Sequence, residues 1–308
     1  MRAQRVSPAI SFLVRMKTVA LLAMLAASSL AAQMPDMPGM HHHAERAPLT
    51  PAVQREIDSV AKATLPLGAP GAASAAGFHP TFGWIPTMGE HWIARGLMMN
   101  GRQTDRAKPS QLMFSKVDGK DSLVGAAYGY VTAVADTIRP TLFDNAPAWH
   151  EHRDLAGPGM TLVMLHVWFV PSPDGPFAGT NPNLPFWAVG LAAPDPARMR
   201  DSAFSVRVRR AALALGAVAD TSSILSNLER RPAVGAAIMA RRDTVRALIP
   251  QLLAAQKSKD RARWDSLAER TAKQWDGMYA TYIASARSKD GRERIERYVA
   301  MLLGRHAE

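Results

Sequence analysis

Four of the nine histidines in this 308-residue chain fall between residues 91 and 166, and a tryptophan stands within three positions of each. They read Glu90-His91-Trp92, Trp149-His150-Glu151-His152 and Leu165-His166-Val167-Trp168. Imidazole binds protons and metal ions while indole supplies apolar wall, so the pairing has the composition of a site rather than of solvated surface. His150 and His152 are two apart, and in extended chain both rings leave the same face and can chelate one ion. His166 offers a third nitrogen and His91 a fourth. Glu90, Glu151 and Asp154 are candidates for a further ligand, or for orienting an imidazole through its other nitrogen. Such a donor set suits copper or zinc.

Other chemistry is sparse. The chain has no cysteine, which excludes disulfides, thiolate metal sites, iron–sulfur clusters and a cysteine nucleophile. No Gly-x-Ser-x-Gly elbow, phosphate loop or dinucleotide fingerprint occurs. His150-x-His152-x-Asp154 is similar to the metal motif of metallo-β-lactamase-type hydrolases, but Leu155 stands where that family has another ligand. A plainer account of the histidines also exists, in which each ring is an interior group satisfied by two hydrogen bonds. Two further functions stay open beside metal handling. One is a small-ligand module walled by Trp84, Trp92, Trp149, Trp168 and Trp187. The other is a hydrolase using metal-bound water.

The N-terminal residues read as an address. Lys17, the apolar run Val19–Leu25 and the small residues up to Ala32 make residues 1–32 a secretory signal, which predicts a periplasmic or secreted protein. No later run approaches the ~20 apolar residues of a spanning helix, so no membrane span is expected. Residues 33–49 read as a disordered leader. In it Met34, Met37 and Met40 recur every third residue and run into His41, His42 and His43. Thioether suits Cu(I) and imidazole Cu(II), so this leader is a second candidate for copper.

Charge divides the rest. Residues 33–194 carry 11 Lys and Arg against 13 Asp and Glu, whereas residues 195–308 carry 22 against 13. The basic half mixes its arginines with acids along helices and has no base-stacking aromatics. It therefore predicts solvated helix faces and no nucleic-acid partner.

Periodicity predicts an α+β fold: an antiparallel sheet domain over 50–194 with an N-terminal helix, followed by a helical hairpin or bundle over 195–308. Thr50-Pro51 opens the first helix, over 51–64, and a Gly/Ala/Pro loop follows from Pro66 to Gly77. Gln111–Val117 and Leu123–Val131 flank a hairpin signal at Asp118-Gly119. Thr161–Val170 is a strand apolar on both faces, which places His166 in packed interior. Leu184–Leu191 is a weaker strand candidate, limited by Pro185. Asp195-Pro196 reads as the cap of the first C-terminal helix. Trp264, Ala268, Thr271, Trp275, Met278 and Tyr282 then form a heptad-like stripe, paired with an upstream helix carrying Pro250. Those stripes would serve either a core or self-association.

Residues 77–191 resemble an uncharacterised family of secreted bacterial proteins. The shared pattern runs Pro86-Thr87-Met88-Gly89-Glu90-His91-Trp92, then a hairpin, Leu165-His166-Val167-Trp168, Pro173-Asp174-Gly175-Pro176-Phe177-Ala178 and Asn181-Pro182. The resemblance implies that His91 and His166 are positions the family uses, and it implies no activity. Taken together, these readings predict an exported protein that binds copper or zinc at a histidine site.

Overall fold

Thr50 caps the first helix as its position predicts. Its hydroxyl accepts the Val53 N–H at 3.3 Å, and Pro51 sits in the first turn, where an N–H would have no partner. A computed structural model describes residues 49–99, 105–143, 149–153, 156–219 and 225–304. Leu49–Glu308 forms one compact unit. Helix α1 (Pro51–Thr64) buries Val53, Ile57 and Val60, one apolar stripe. The expected loop over 66–77 is instead a short 3₁₀ turn, Leu65–Leu67, and a helix α2, Pro70–Ala75. Pro66 and Pro70 start these turns rather than break them, because each stands at a first-turn position.

Six strands make one antiparallel sheet: β1 (His79–Ile85), β2 (Gly89–Ile93), β3 (Gln111–Val117), β4 (Lys120–Ala133), β5 (His150–His152) and β6 (Met160–Trp168), in the order β1-β2-β3-β4-β6-β5. A short helix α3, Arg95–Met99, follows β2. The β3–β4 hairpin turns on Asp118 and Gly119, both at positive φ, as a two-residue hairpin requires. Strands β1, β2 and β5 give little alternation signal, being short or interrupted by Pro80 and Gly83.

The two sheet faces have separate cores. On one face, Ala126, Tyr128, Leu165 and Val167 pack with the stripe of α1 and with Phe143 and Phe177. On the other, Met113, Ala127, Leu162, Met164 and Trp168 pack against Ala178 and Leu184. Leu184 belongs to a helix α4, Leu184–Ala188, where a strand was expected. Pro185 decides this: in a first helical turn its missing N–H costs nothing, while in a strand it would break the ladder. Phe186, two residues on, packs into the core of the C-terminal helices, so α4 joins the two cores.

The C-terminal helices are α5 (Ser202–Ala219), α6 (Ser226–Glu229), α7 (Pro232–Lys257), α8 (Arg261–Ser285) and α9 (Lys289–Leu302). Helix α5 starts later than the Asp195-Pro196 pair predicts. Asp195 accepts the Ala197 N–H in a preceding turn, and Asp201 caps α5 by accepting the Phe204 N–H at 2.7 Å. Helices α7 and α8 form the expected hairpin, and Pro250 lies inside α7. The Trp264–Tyr282 stripe is buried within the chain's own helical core. Among the described residues no helix is long and apolar enough to cross a membrane.

Two joints fasten the helices to the sheet. The Arg209 guanidinium of α5 donates to both carboxylate oxygens of Asp174 at 2.6 Å, holding the loop after β6. Thr87, in the β1–β2 turn, donates its hydroxyl to the Leu302 carbonyl at 2.9 Å, and its own carbonyl accepts the Asn181 N–H at 2.7 Å.

Strand β4 presents only Gly125, Ala127 and Gly129 on part of the second face, a trough in its own side chains that the ends of Met113 and Gln111 fill. A Cβ on Gly125 would stand 2.6 Å from the Val167 carbonyl oxygen, which is backbone and cannot yield. Gly125→Ala should therefore lower stability by about 1–3 kcal/mol, the usual cost of overpacking, measured by urea unfolding. An unchanged midpoint would show that β4 and β6 have room to spare there.

Candidate functional site

Cross-strand register puts the four histidines on one face. His91 pairs with Met113, Met113 with Gly125 and Gly125 with Trp168, while Gln111 pairs with Ala127 and Ala127 with His166. His150 pairs with Met164 and His152 with Leu162. Partners directly opposite in an antiparallel ladder share a face, so all four imidazoles rise from the face that carries the β4 trough. Strands β2 and β6 are separated by β3 and β4, and the small residues of β4 keep its own side chains out of the path by which their rings meet.

They meet in succession. His91 Nε2 lies 3.3 Å from His166 Nε2, with ring centroids 5.3 Å apart. His166 is 4.9 Å from His150, centroid to centroid, and His150 is 4.9 Å from His152. The series runs outward: His166 is fully buried, His91 and His150 nearly so, and His152 is half-buried. Among the described residues, no three His, Asp or Glu side chains are placed to hold one ion as they stand.

The loop after β6 sets the chemistry of His166. Trp168 donates its amide to the Pro176 carbonyl and its indole N–H to the Ala178 carbonyl, both at 2.7 Å, which lays the loop along β6. Asn181 and Asn183 each donate a side-chain N–H to the Pro171 carbonyl at 3.0 Å and close the loop. The Gly179 carbonyl then faces His166 Nδ1 at 2.8 Å. A carbonyl only accepts, so Nδ1 carries the proton, and in the neutral ring Nε2 then presents a lone pair to His91. Two neutral rings at 3.3 Å suit either an N–H···N hydrogen bond or two lone pairs directed at one ion.

Burial pushes the His91 imidazole down to about 4, with the Gly89 carbonyl pulling weakly the other way. Its Nδ1 is buried and makes no hydrogen bond of good geometry among the described residues. At neutral pH His91 is therefore an uncharged ring, the form in which imidazole binds metal.

Glu90 and Glu151 are turned away from the histidine face. Glu90 alternates with His91, and its carboxylate accepts the Trp92 indole N–H at 2.8 Å on the opposite face. Glu151 stands between His150 and His152, also turned away, and pairs with Arg139 and Arg153. Asp154 lies outside the described residues, as do Met34, Met37, Met40, His41, His42 and His43. The tryptophans form no single wall. Trp168 and Trp187 belong to the histidine face, Trp149 packs in the core on the α1 side, and Trp92 packs with Phe114. Trp84 donates to the Ser115 hydroxyl at 3.0 Å.

One residue of the site escapes a search for histidines. Gln111 is fully buried on the same face, and neither its Oε1 nor its Nε2 has a hydrogen-bond partner among the described residues. Its sequence signal is an amide heading the apolar run Leu112–Phe114, opposite the Gly125-x-Ala127-x-Gly129 spacing.

The His91 shift predicts acid sensitivity of the metal-free protein. A histidine titrates near 6.5 when unfolded and His91 at about 4 when folded, so between these values the unfolded chain binds the extra proton. Stability is then full above about pH 6.5 and falls as pH drops toward 4, by about 3 kcal/mol from this group. Urea unfolding at pH 7 and pH 4.5 should show the loss, and His91→Leu should remove most of the difference. Equal pH dependence in both proteins would mean that His91 is not buried as a neutral ring.

Comparison with protein-family models, with curated proteins and with solved structures gives no match. Function has to be read from the four rings and what surrounds them.

Proposed function

We propose that this chain is an exported protein that binds a transition metal ion, copper or zinc, at the imidazole cluster of its sheet, in a binding or handling role. The observation that carries this reading is the His91–His166 pair. Two nitrogens bound to a tetrahedral ion at ~2.0–2.1 Å stand about 3.3–3.4 Å apart, and the two Nε2 atoms are 3.3 Å apart before any ion is added. The other nitrogen of His166 is already engaged with a backbone carbonyl, the arrangement that fixes ring and tautomer in metal-ligating histidines.

The remaining ligands come from β5. His150 touches His166 ring to ring, and a rotation of its imidazole brings a third nitrogen toward the pair. His152 is half-buried and next in the series, which suits it to first contact with an ion arriving from solvent. A cluster of neutral rings also explains why no carboxylate is needed nearby: the ion brings the only charge, and soft or borderline metals tolerate an all-nitrogen set. The secretory signal and the Met/His leader fit such a protein, with the leader as a second, flexible copper ligand set.

Copper(II) and zinc titrations of the full chain, by calorimetry and by elemental analysis of protein without an affinity tag, test the reading. The wild type should bind one equivalent that His166→Ala does not. Spread over three imidazoles, ~10–16 kcal/mol of site affinity gives roughly 3–5 kcal/mol per ligand, so His91→Ala or His150→Ala should weaken binding by at least about 100-fold. His152→Ala should slow uptake more than it weakens affinity. Identical stoichiometry and affinity in wild type and His166→Ala would overturn the site.

A further inference from the structure

Gln111 is the residue of this face that metal binding by imidazoles does not explain. Each buried polar group left unpaired costs about 1–3 kcal/mol, and this carboxamide leaves a donor and an acceptor unpaired at once. A leucine would fill the space without that cost, so the amide answers to something other than packing.

Its placement says what. Gln111 stands in the same cross-strand row as His166, with only the Ala127 methyl between them. Its side chain runs along β4 to the next row, where Nε2 lies 2.6 Å from the point a Gly129 Cβ would occupy. That row continues through Met164 to His150. The amide thus lies over Gly129 among Leu162 and Met164, reaching from the row that carries His166 to the row that carries His150. Histidines supply the nitrogens, and an ion held by His91, His166 and His150 has one tetrahedral position left.

Building on the metal reading above, we propose that the site takes a small oxygen ligand as well as the ion, a water, a hydroxide or a compact oxyanion, and that Gln111 is its specificity residue. Nε2 donates a hydrogen bond to the oxygen bound at the fourth metal position. Oε1 accepts when that ligand carries a proton, so the amide serves protonated and deprotonated forms alike. Met113 Cε and the Gln111 amide already lie over Gly125 and Gly129, with Leu162, Met164 and Trp168 around them, so a ligand that reaches Gln111 from the ion has to be compact.

The test uses the full chain loaded with one equivalent of copper(II), with azide as the probe for the fourth position, read through its charge-transfer band to copper. His166→Ala provides the background from any other copper on the chain. Gln111→Leu should bind copper as tightly as the wild type but azide about tenfold more weakly, the loss of one hydrogen bond to a charged ligand. Metal-free Gln111→Leu should be at least as stable to heat as the wild type. Gln111→Glu keeps the shape and the acceptor but loses the donors, and should abolish azide binding while retaining copper. If the wild type binds no copper above the background, the metal reading itself falls. If copper binds but azide does not, or binds all three proteins equally, the ion stands and the oxygen ligand is overturned. A drop in metal-free stability of Gln111→Leu with azide affinity unchanged would make Gln111 a packing residue and likewise overturn the proposal.

Discussion

His166 has no access to water, so its Nδ1 proton must be given to a protein acceptor, and the Gly179 carbonyl is the one within reach. That bond turns the Nε2 lone pair toward His91 and settles the tautomer without any carboxylate. The rest of the structure can be followed outward from it. The Gly179 carbonyl is where it is because Trp168, Asn181 and Asn183 fold the loop back onto β6. The loop in turn is held at Asp174 by Arg209 and at Asn181 by the Thr87 carbonyl. Thr87 adopts a left-handed backbone conformation, φ 67°, which is unfavourable for a β-branched residue and is balanced by its two hydrogen bonds across the joint. The helical half of the chain thereby contributes to the site without placing a residue in it.

Neutrality is the second constraint. Four imidazoles could not be gathered in a low-dielectric interior if they were charged, because each would repel the next and lose its hydration. Burial resolves the problem at His91 by holding it uncharged well below neutral pH. The same burial that suppresses protonation keeps imidazole in the form the proposed metal site needs, so one physical condition both permits the cluster and favours that reading.

What could be read in the sequence follows from which signals are local. The strand around Leu165-His166-Val167-Trp168 is apolar on both faces, and that alone puts His166 indoors, as observed. The Thr50 cap, the Asp118-Gly119 turn and the α7–α8 hairpin are likewise written in neighbouring residues. Helix α4 was mistaken for a strand because five apolar residues have no distinguishing period, and Pro185 reads either way until its position in the element is known. Strands β1, β2 and β5 are defined by their partners more than by their own residues. His91 and His166 are 75 residues apart and their meeting depends on register, which no local pattern encodes. Glu90 and Glu151 turn away from the rings for a reason legible in the sequence: each is adjacent to a histidine, and in a strand adjacent residues face apart. Gln111 was invisible because an amide at a strand's start is common, and only the small residues opposite give it meaning.

Strand β5 is three residues long, lies at the edge of the sheet and is hydrogen-bonded to β6 alone. His91 and His166 ride on long or internal strands, while His150 and His152 ride on the element with the fewest bonds to break. The proposed ligand set is therefore half anvil and half latch. In that proposal grip strength would reside in the fixed pair, whereas residence time would follow how readily a short border strand lifts away.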